Sequence, residues 1–496
     1  MSKKGVSLDA LLRRATAGLE PNSETMFKPS LAYLVSEDPY GLWCRYHAPK
    51  DQAVDETTRY EKLRMSWGSD YELRWVHQHH PEAIEIKPRW GIEALEATLK
   101  AMLDGVPAIH APQLWDLRRE IFGVGDLIVR CEDAASDLGR YHYRVREIKR
   151  SKNLKDYQVL QAVLYNRLVD RIQGYRPTHV DVVLTKDTVV ALASDYEDEC
   201  DAAVEEWRLI RDGKVEPELP AFDEAGSPWR LYTNSALEKR RDLTLFPGVS
   251  ASSRRKLQER LGVARVDDLE NLRQEDFQRA LGPTTGRHVY YKYRAFTSGM
   301  PFLAPDERIS IPRRRRRFYF DFETCDDFHP SVSPHVYMIG SFDAQENRYS
   351  VFVARGAAEE EKIFRDFLAH VGDPRNACLY HWTGYEIGQM EHVIERHPRL
   401  KSRLSRLIES CVDLKAAIAK RVFFGTRTYS IKEVAPFLGF QWRQEDVDAY
   451  ESMVLYWEWL EDGDPRKIER VVRYNEDDCM AMVHVDSAVE HIAQAK

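Results

Sequence analysis

The sequence predicts a mixed α/β fold divided among several domains. The chain has 496 residues, which is too long for a single hydrophobic core. Residues 316–324 alternate apolar and polar side chains with the period of a β-strand. Residues 122–148 contain two further strand patterns, and a helical pattern follows them. Strands and helices therefore alternate along the chain, as in an α/β protein.

Composition indicates a globular protein outside the membrane. Hydrophobic residues make up 43% of the chain and charged residues 31%, and no apolar run approaches the roughly 20 residues of a membrane span. Residues 1–5 lack the apolar core of a signal peptide, so we expect a cytoplasmic location and no membrane partner. Seven cysteines without Cys-x-x-Cys spacing argue against a disulfide framework, a zinc ribbon or a simple iron–sulfur site.

The net charge of −8 limits how the protein can contact nucleic acid. Proteins that coat nucleic acid are usually basic overall, so phosphate contacts here have to come from local patches. The basic patches are residues 149–152, 239–241, 254–256 and 313–317. The alternative for each patch is an ordinary solvated surface. The chain contains no Gly-x-x-x-x-Gly-Lys-Ser/Thr motif, so it shows no sign of a P-loop motor.

The first 235 residues begin with helical patterns and continue into strands. An apolar stretch at residues 30–43 is interrupted at Asp38-Pro39. The predicted elements are a helix at 57–79, strands at 122–130 and 141–148, a helix at 156–172 and a strand at 180–184.

Three residues of this region suggest metal chemistry. Glu147 and Lys149 are two apart on a predicted strand, so they share a face and project toward Asp126. Two acids can hold a metal that activates water, while a lysine orients that water or steadies charge on a phosphate. The alternative is a salt bridge between neighbouring strands.

The helix that follows supports the metal interpretation. Gln161 and Tyr165 are four apart beside an apolar stripe, directly after the Glu-x-Lys strand. The arrangement over residues 20–235 resembles the RecB-like nucleases of the PD-(D/E)XK class. This resemblance implies a restriction-endonuclease-like domain at residues 1–235, with Gln161 and Tyr165 near the substrate. It also makes Glu72 a candidate upstream metal ligand where many relatives use histidine; the alternative is an ordinary glutamate on a helix surface.

Many of these relatives carry an iron–sulfur cluster held by one early cysteine and three late ones. Cys44 lies in the early position, but residues 226–232 contain no cysteine. Cys200 cannot complete a four-thiolate site with Cys44 alone. We therefore expect no iron–sulfur cluster.

Residues 236–303 form a helical connector in the prediction. A Pro247-Gly248-Val249 turn leads into a helix at 252–261, and a second helix is predicted at 266–272. Short helices separated by Gly-Val turns resemble a helix-hairpin-helix element, in which backbone N–H groups hold a DNA phosphate. The alternative is a helical segment that packs two domains together.

The C-terminal domain, residues 304–496, begins with the strand at 316–324. Three phenylalanines alternate with Tyr319, Asp321 and Glu323, so the two acids project on the same side. A divalent cation would offset their repulsion, because carboxylate oxygens suit Mg²⁺ or Mn²⁺. The further predicted elements are strands at 337–342 and 349–353, a helix at 359–371 and a strand at 377–381.

A late helix supplies the partners of this acidic pair. Tyr474 and Asp478 are four apart and share one helical face. Asp-x-Glu on a first strand with Tyr-x-x-x-Asp on a late helix resembles the DEDD class of 3′→5′ exonucleases, which have an RNase H-like fold. The resemblance implies that Asp321, Glu323 and Asp478 are metal ligands and that Tyr474 is catalytic. Each half of the pattern taken alone is common on exposed strands and helices.

The middle acid of the class differs in residue type in this sequence. Glu386 stands where relatives more usually have aspartate, which lengthens the reach by one methylene. Asp413 is an alternative or additional acid. The adjacent Arg316 and Arg317 are candidates for contact with the substrate backbone.

Together these patterns predict a nuclease that hydrolyses DNA with Mg²⁺ or Mn²⁺. The first site would use Asp126, Glu147 and Lys149, and the second would use Asp321, Glu323, Glu386, Tyr474 and Asp478. The alternatives are a nucleic-acid-binding scaffold that has lost its chemistry, or a ribonuclease. Some relatives extend into a helicase, so a separate helicase partner is expected by analogy only.

Overall fold

Two β-sheets, one in each half of the chain, organise the fold. The computed structural model describes residues 6–17, 20–22, 24–305, 307–325 and 332–494. One unit comprises residues 1–57 and 61–233, and the other comprises residues 58–60 and 234–496. Residues 1–5, which carry the expectation of a cytoplasmic location, lie outside the described residues. Within the described ranges, no helix combines the length and apolarity required to cross a membrane.

The first unit surrounds a mixed sheet with helices. Its helices are α1 (Leu8–Thr16), α2 (Ala32–Glu37), α3 (Pro39–His47), α4 (Arg59–His79), α5 (Ile92–Leu103), α6 (Asp156–Gln173), α7 (Glu197–Arg211) and α8 (Arg230–Arg240), the last of which continues into the second unit. Its strands are β1 (Ile84–Glu85), β2 (Ala108–His110), β3 (Gln113–Asp116), β4 (Ile121–Val124), β5 (Leu127–Cys131), β6 (His142–Ile148), β7 (His179–Val183) and β8 (Thr188–Leu192).

The main sheet of this unit has the strand order β1-β2-β5-β6-β7-β8. Strands β5 and β6 form an antiparallel pair, whereas β6 and β7 are parallel and are connected through α6. Helix α6 buries Val159, Val163 and Leu164 in the core, as its apolar stripe predicts. This arrangement brings the end of β6 and the first turns of α6 to the same edge as the start of β5.

The predicted strand at 122–130 is wrong as one continuous element. It is two strands, β4 and β5, separated by Gly125 and Asp126. Strand β4 pairs with β3 in a small separate sheet, whereas β5 enters the main sheet between β2 and β6. The change of sheet leaves Asp126 at the junction, where its carbonyl accepts a hydrogen bond from Ala111 N–H.

The second unit contains the remaining elements. Its helices are α9 (Ala251–Leu261), α10 (Gln274–Leu281), α11 (Pro283–Ser298), α12 (Glu360–Val371), α13 (Tyr385–Arg396), α14 (Lys401–Ile408), α15 (Leu414–Ile418), α16 (Ile431–Phe437), α17 (Ala449–Asp462) and α18 (Pro465–Gln494). Its strands are β9 (Phe302–Leu303), β10 (Arg316–Thr324), β11 (Val336–Asp343), β12 (Arg348–Val353), β13 (Ala377–His381), β14 (Cys411–Asp413) and β15 (Val422–Phe423).

Strand β10 lies at the centre of a five-stranded sheet with the order β12-β11-β10-β13-β14. Strands β10, β11 and β12 form the predicted antiparallel meander, and β13 runs parallel to β10. Phe318, Phe320 and Phe322 are buried on one face against α12. Helix α18 packs across β10 and β11 on the other face. The alternation of β10 therefore directs Asp321 and Glu323 toward α18.

The connector at residues 236–303 lies in the second unit. The predicted helix at 266–272 is a 3₁₀ helix, Val266–Asn271, rather than an α-helix. Helix α11 packs beside the small β9–β15 sheet, where Tyr291 and Ala295 contact Phe423. Lys292 Nζ donates to the carbonyl of Arg427 at 2.9 Å, which adds a polar contact to that packing.

Candidate active sites

The C-terminal site combines the central strand with the last helix. Strand β10 supplies Asp321 and Glu323, and α18 supplies Asp478. One carboxylate oxygen from each of these three residues lies within 4.8 Å of the other two. Asp321 is partly exposed, whereas Glu323 and Asp478 are buried. The sequence pattern predicted this grouping from two segments more than 150 residues apart.

The three carboxylates oppose one another's ionisation. Loss of hydration raises the pKa of Asp321 well above its usual value, and the charges of Asp478 and Glu323 raise it further. Burial, followed by the charge of Asp478, raises the pKa of Glu323 to about 8. Burial also raises the pKa of Asp478. An electrostatic environment of this kind favours the binding of a cation among these oxygens.

Two neutral side chains hold the pair on β10 in place. Asn475 Nδ2 donates to Asp321 Oδ2 at 3.0 Å and to Glu323 Oε1 at 3.2 Å. Ser452 Oγ donates to Glu323 Oε2 at 2.9 Å. Neither residue was predicted from the sequence. Asn475 follows Tyr474 on the predicted helix, so its proximity to the site was available from the pattern, whereas Ser452 on α17 had no local signal.

A lysine and a tryptophan complete the surroundings of Asp478. Lys432 Nζ lies 2.7 Å from Asp478 Oδ1, and Trp442 Nε1 donates to the same oxygen at 2.8 Å. Lys432 Nζ also lies 4.0 Å from the centre of the Tyr474 ring. Burial, followed by the charge of Asp478, raises the pKa of Tyr474 far above its usual value. Tyr474 therefore keeps its proton and acts as a neutral hydroxyl.

The fourth predicted acid, Glu386, lies in the first turn of α13 and is buried. Its charge contributes to the raised pKa of Asp321, but Glu386 is not among the three residues whose carboxylate oxygens come within 4.8 Å of one another. Within the described parts of the chain, Glu386 Oε2 has no hydrogen-bond partner, and His381 Nδ1 lies 3.5 Å away. The alternative acid, Asp413, instead accepts from Ala416 N–H at 2.8 Å and caps α15. One oxygen of Asp413 thus caps a helix.

The arginine run before Asp321 is largely engaged in structural contacts. Arg316 Nη2 lies 2.6 Å from the buried carboxylate of Asp343, and Arg313 pairs with Asp486. Arg314 Nη1 donates to Ser410 Oγ at 3.0 Å. Arg317 is partly exposed beside them. Since Arg316 is committed to Asp343, Arg317 has the freer guanidinium for a phosphate contact.

The N-terminal site lies where β4, β5, β6 and α6 meet. Lys149 Nζ lies 2.7 Å from Glu147 Oε1 and 3.6 Å from Asp126 Oδ2. Gln161 Nε2 donates to Glu147 Oε1 at 2.6 Å. Asp126 Oδ2 also accepts from Ile148 N–H at 2.7 Å. The structure therefore brings together four of the residues that the sequence singled out.

Lys149 offsets part of the negative charge in this site. Glu147 is fully buried, and burial followed by the charge of Asp126 raises its pKa to about 8. Burial lowers the pKa of Lys149, but the charges of Asp126 and Glu147 outweigh that effect and raise it above its usual value. Glu147 Oε2 has no hydrogen-bond partner among the residues described. One buried acceptor thus stays available beside the ion pair.

Glu72 and Tyr165 occupy more specific positions than the sequence indicated. Glu72 Oε1 lies 2.8 Å from Nε2 of the buried His110, and its charge contributes to the raised pKa of Lys149. Glu72 thus pairs with a buried histidine near Lys149, and its role as a metal ligand stays a prediction. Tyr165 is buried, and its hydroxyl donates to the carbonyl of Val124 at 2.6 Å, which supports the turn before Asp126. His110 was missed because its role depends on the pairing of β2 with β5.

Comparison with known proteins identifies part of the C-terminal unit. Residues 318–489 match the family described as the RNase H superfamily, so they form a domain of that superfamily. This confirms the RNase H-like fold expected there. No curated protein matches the chain. For residues 1–235 the RecB-like interpretation stays a prediction, as does the helix-hairpin-helix interpretation of the connector.

Among solved structures, the chain is similar to the family B DNA polymerase from the hyperthermophilic archaeon Pyrobaculum calidifontis. Sequence identity is 18% and the TM-score is 0.26. The match covers 36% of this chain and 25% of the polymerase chain.

Proposed function

We propose that the C-terminal domain is a metal-dependent 3′→5′ exonuclease that acts on DNA, with RNA as the alternative substrate. The observation that carries this proposal is the meeting of Asp321, Glu323 and Asp478 within 4.8 Å on an RNase H-like domain. A nuclease fold implies a nucleic-acid substrate, and RNase H-like nucleases usually use divalent metals. The product would be a nucleoside monophosphate released from a 3′ end.

The residues of this site fit Mg²⁺ or Mn²⁺. Every candidate ligand atom is a carboxylate oxygen, which hard divalent cations prefer. Glu386 adds a buried oxygen that has no hydrogen-bond partner among the residues described. Asp321, Glu323, Glu386 and Asp478 would together hold the metal. When bound, the metal would lower the pKa of a water molecule and offset charge on the phosphate.

The protein's own groups would position the reaction. Tyr474 retains its proton, so its hydroxyl can orient an attacking water by a hydrogen bond. Asn475 fixes the two acids of β10 relative to each other. Lys432 forms an ion pair with Asp478 and reduces the excess negative charge. Arg317 would contact the substrate backbone. It lies four residues before Asp321 on β10, which corresponds to about 13 Å along an extended strand.

The proposal extends to a second nuclease site in the first unit, of the RecB-like PD-(D/E)XK class. Asp126 and Glu147 would hold a metal, and Lys149 would steady the water or the phosphate beside it. Glu72 would be a further ligand, and Gln161 would keep Glu147 oriented. The free Oε2 of Glu147 and the short Gln161–Glu147 hydrogen bond support this role. A separate helicase partner stays a prediction from resemblance alone.

The test is digestion of 3′- and 5′-labelled DNA and RNA, single- and double-stranded, with Mn²⁺. We expect Asp321→Asn to reduce stepwise 3′ trimming by about 100-fold or more, because a metal ligand contributes several kcal/mol to the transition state. Asp126→Asn alone should leave that trimming intact. The double variant with Asp321→Asn and Asp126→Asn should lose any cleavage that remains in Asp321→Asn. Glu391→Gln, an exposed acid on α13, is the matched control.

Two results would contradict the assignment. Full 3′ trimming by Asp321→Asn would remove the C-terminal site from the reaction. The absence of cleavage by the wild type with every substrate would favour the nucleic-acid-binding scaffold instead.

A further inference from the structure

A second group of metal-ligating side chains lies elsewhere in the first unit. Cys131 is the last residue of β5 and His142 is the first residue of β6, and the two face each other in the antiparallel register. Asp133 follows β5 by two residues. One potential ligand atom from each of the three lies within 4.8 Å of the others.

This group is separate from the candidate nuclease site. Asp126 precedes β5 and Glu147 is near the end of β6, whereas Cys131 and His142 occupy the opposite end of the same strand pair. Five residues of extended strand separate Asp126 from Cys131, which corresponds to about 16 Å. A metal held by Cys131 would therefore have no ligand in common with the nuclease site.

The donor set selects a class of metal. A thiolate and an imidazole favour Zn²⁺ and similar transition metals, and a carboxylate completes a three-ligand set with an open fourth position. Tetrahedral zinc holds its ligand atoms about 3.3 to 3.8 Å apart, given its bond lengths. The three ligand atoms are at most 4.8 Å apart, so a movement of one side chain would bring them toward that spacing. Asp133 is exposed and lies at the start of a loop, so it can make such a movement.

The surroundings of His142 point the same way. The imidazole is only 2% exposed, yet its Nδ1 lies 3.4 Å from the carbonyl of Ala134 and 3.6 Å from Asp133 Oδ1. Both separations exceed an ordinary N–H···O hydrogen bond. A buried nitrogen with only long polar contacts is one that a metal ion would satisfy.

Two arginines lie close to Cys131, on the strand that pairs with β5. Arg144 and Arg146 lie on the same face of β6 as His142, and both pair with the buried Asp181 at 2.6 to 2.8 Å. Burial nevertheless raises the pKa of the Cys131 thiol above its usual value, and the two arginines offset that effect only in part. The metal itself would therefore have to displace the thiol proton.

We propose that Cys131, Asp133 and His142 form a zinc-class metal site. It would tie the loop that begins at Asp133 to the β5–β6 pair and leave one coordination position for water or a further ligand. The proposal does not depend on the nuclease activity of either candidate active site.

The test is a Co²⁺ titration of the full chain after treatment with a chelator. Thiolate ligation of Co²⁺ produces a charge-transfer absorption in the near ultraviolet, which carboxylate sites do not give. We expect this absorption to reach a plateau, although the two acidic sites also take up Co²⁺ without contributing to it, and to disappear when Zn²⁺ is added. Cys131→Ser should abolish it, and Asp133→Asn should weaken Co²⁺ binding about tenfold or more.

Two control variants change a thiol and an acid that lie outside this site. Cys200→Ser, which changes another buried thiol, and Asp321→Asn, which changes the C-terminal acidic site, should both retain the absorption. The circular dichroism spectrum of Cys131→Ser, compared with that of the wild type, tests whether the variant is folded. No charge-transfer absorption in the wild type, or absorption that persists in Cys131→Ser, would overturn the proposal.

Discussion

The two candidate active sites handle buried negative charge in different ways. In the N-terminal site Lys149 lies close to both Asp126 and Glu147, so the protein itself compensates the acids. In the C-terminal site three carboxylates meet, and Lys432 forms an ion pair with one of them, Asp478. Neutral Asn475 and Ser452 hold the other two acids. We infer that the C-terminal site depends more strongly on a bound cation than the N-terminal site does.

Removing the lysine of each site is the strongest test of this contrast. Lys149→Met should lower the free energy of unfolding of the first unit by about 3 kcal/mol, because it leaves a buried carboxylate without its partner. Lys432→Met should lower the free energy of unfolding of the second unit by about 1 kcal/mol or less, since Lys432 is 38% exposed and solvent screens its charge. Hydrogen exchange of peptides from each unit in increasing urea measures the two effects separately.

Lys186→Met, on the exposed turn between β7 and β8, is the control for removing a surface lysine. Equal losses in the free energy of unfolding for Lys149→Met and Lys432→Met would mean that the two lysines offset the charge of their acids to the same extent.

Adding metal tests whether the C-terminal site depends on a bound cation. A ligand that binds only the folded protein stabilises it by about 2.7 kcal/mol at 100 times its dissociation constant. Mn²⁺ at that level should therefore protect the C-terminal unit of the wild type against urea. Asp321→Asn should lose most of that protection and be more stable than the wild type in chelator, because one repelling charge is gone.

Asp126→Asn is the matched variant for this experiment, and it should retain the protection of the C-terminal unit. If Mn²⁺ protected the C-terminal unit of Asp321→Asn as well as that of the wild type, the acidic group on β10 and α18 would not be the metal site.

The sequence predicted which residues of a single strand or helix share a face better than it predicted contacts between distant elements. The alternation along β10 placed Asp321 and Glu323 on one face and the four-residue spacing placed Tyr474 and Asp478 on another, because both patterns are local. The resemblance to the DEDD exonucleases then joined the two segments. Ser452 and His110 were missed because each acts through a partner on a distant element. The division of residues 122–130 into β4 and β5 was missed for a related reason: pairing with two different sheets decides it, and local propensity does not.

Gly340→Ala makes a smaller perturbation that tests whether positioning, as well as charge, matters in the C-terminal site. Gly340 lies opposite Asp321 in the β10–β11 register, and a Cβ atom at this position would lie 1.6 Å from Asn475 Oδ1. Asn475 would have to move away from Asp321 and Glu323. We expect a loss of about 2 kcal/mol in stability from this overpacking. Stepwise 3′ trimming should fall about tenfold while the carboxylates themselves are unchanged.

Gly388→Ala is the matched control, because a Cβ atom at that helical position meets no described atom within 4 Å beyond its chain neighbours and the nearby backbone of its own helix. It should leave trimming unchanged and stabilise α13 slightly, since alanine favours a helix over glycine by about 1 kcal/mol. A Gly340→Ala variant with full trimming would show that Asn475 is not required to hold the acids. The difference between the two sites would then lie in charge alone.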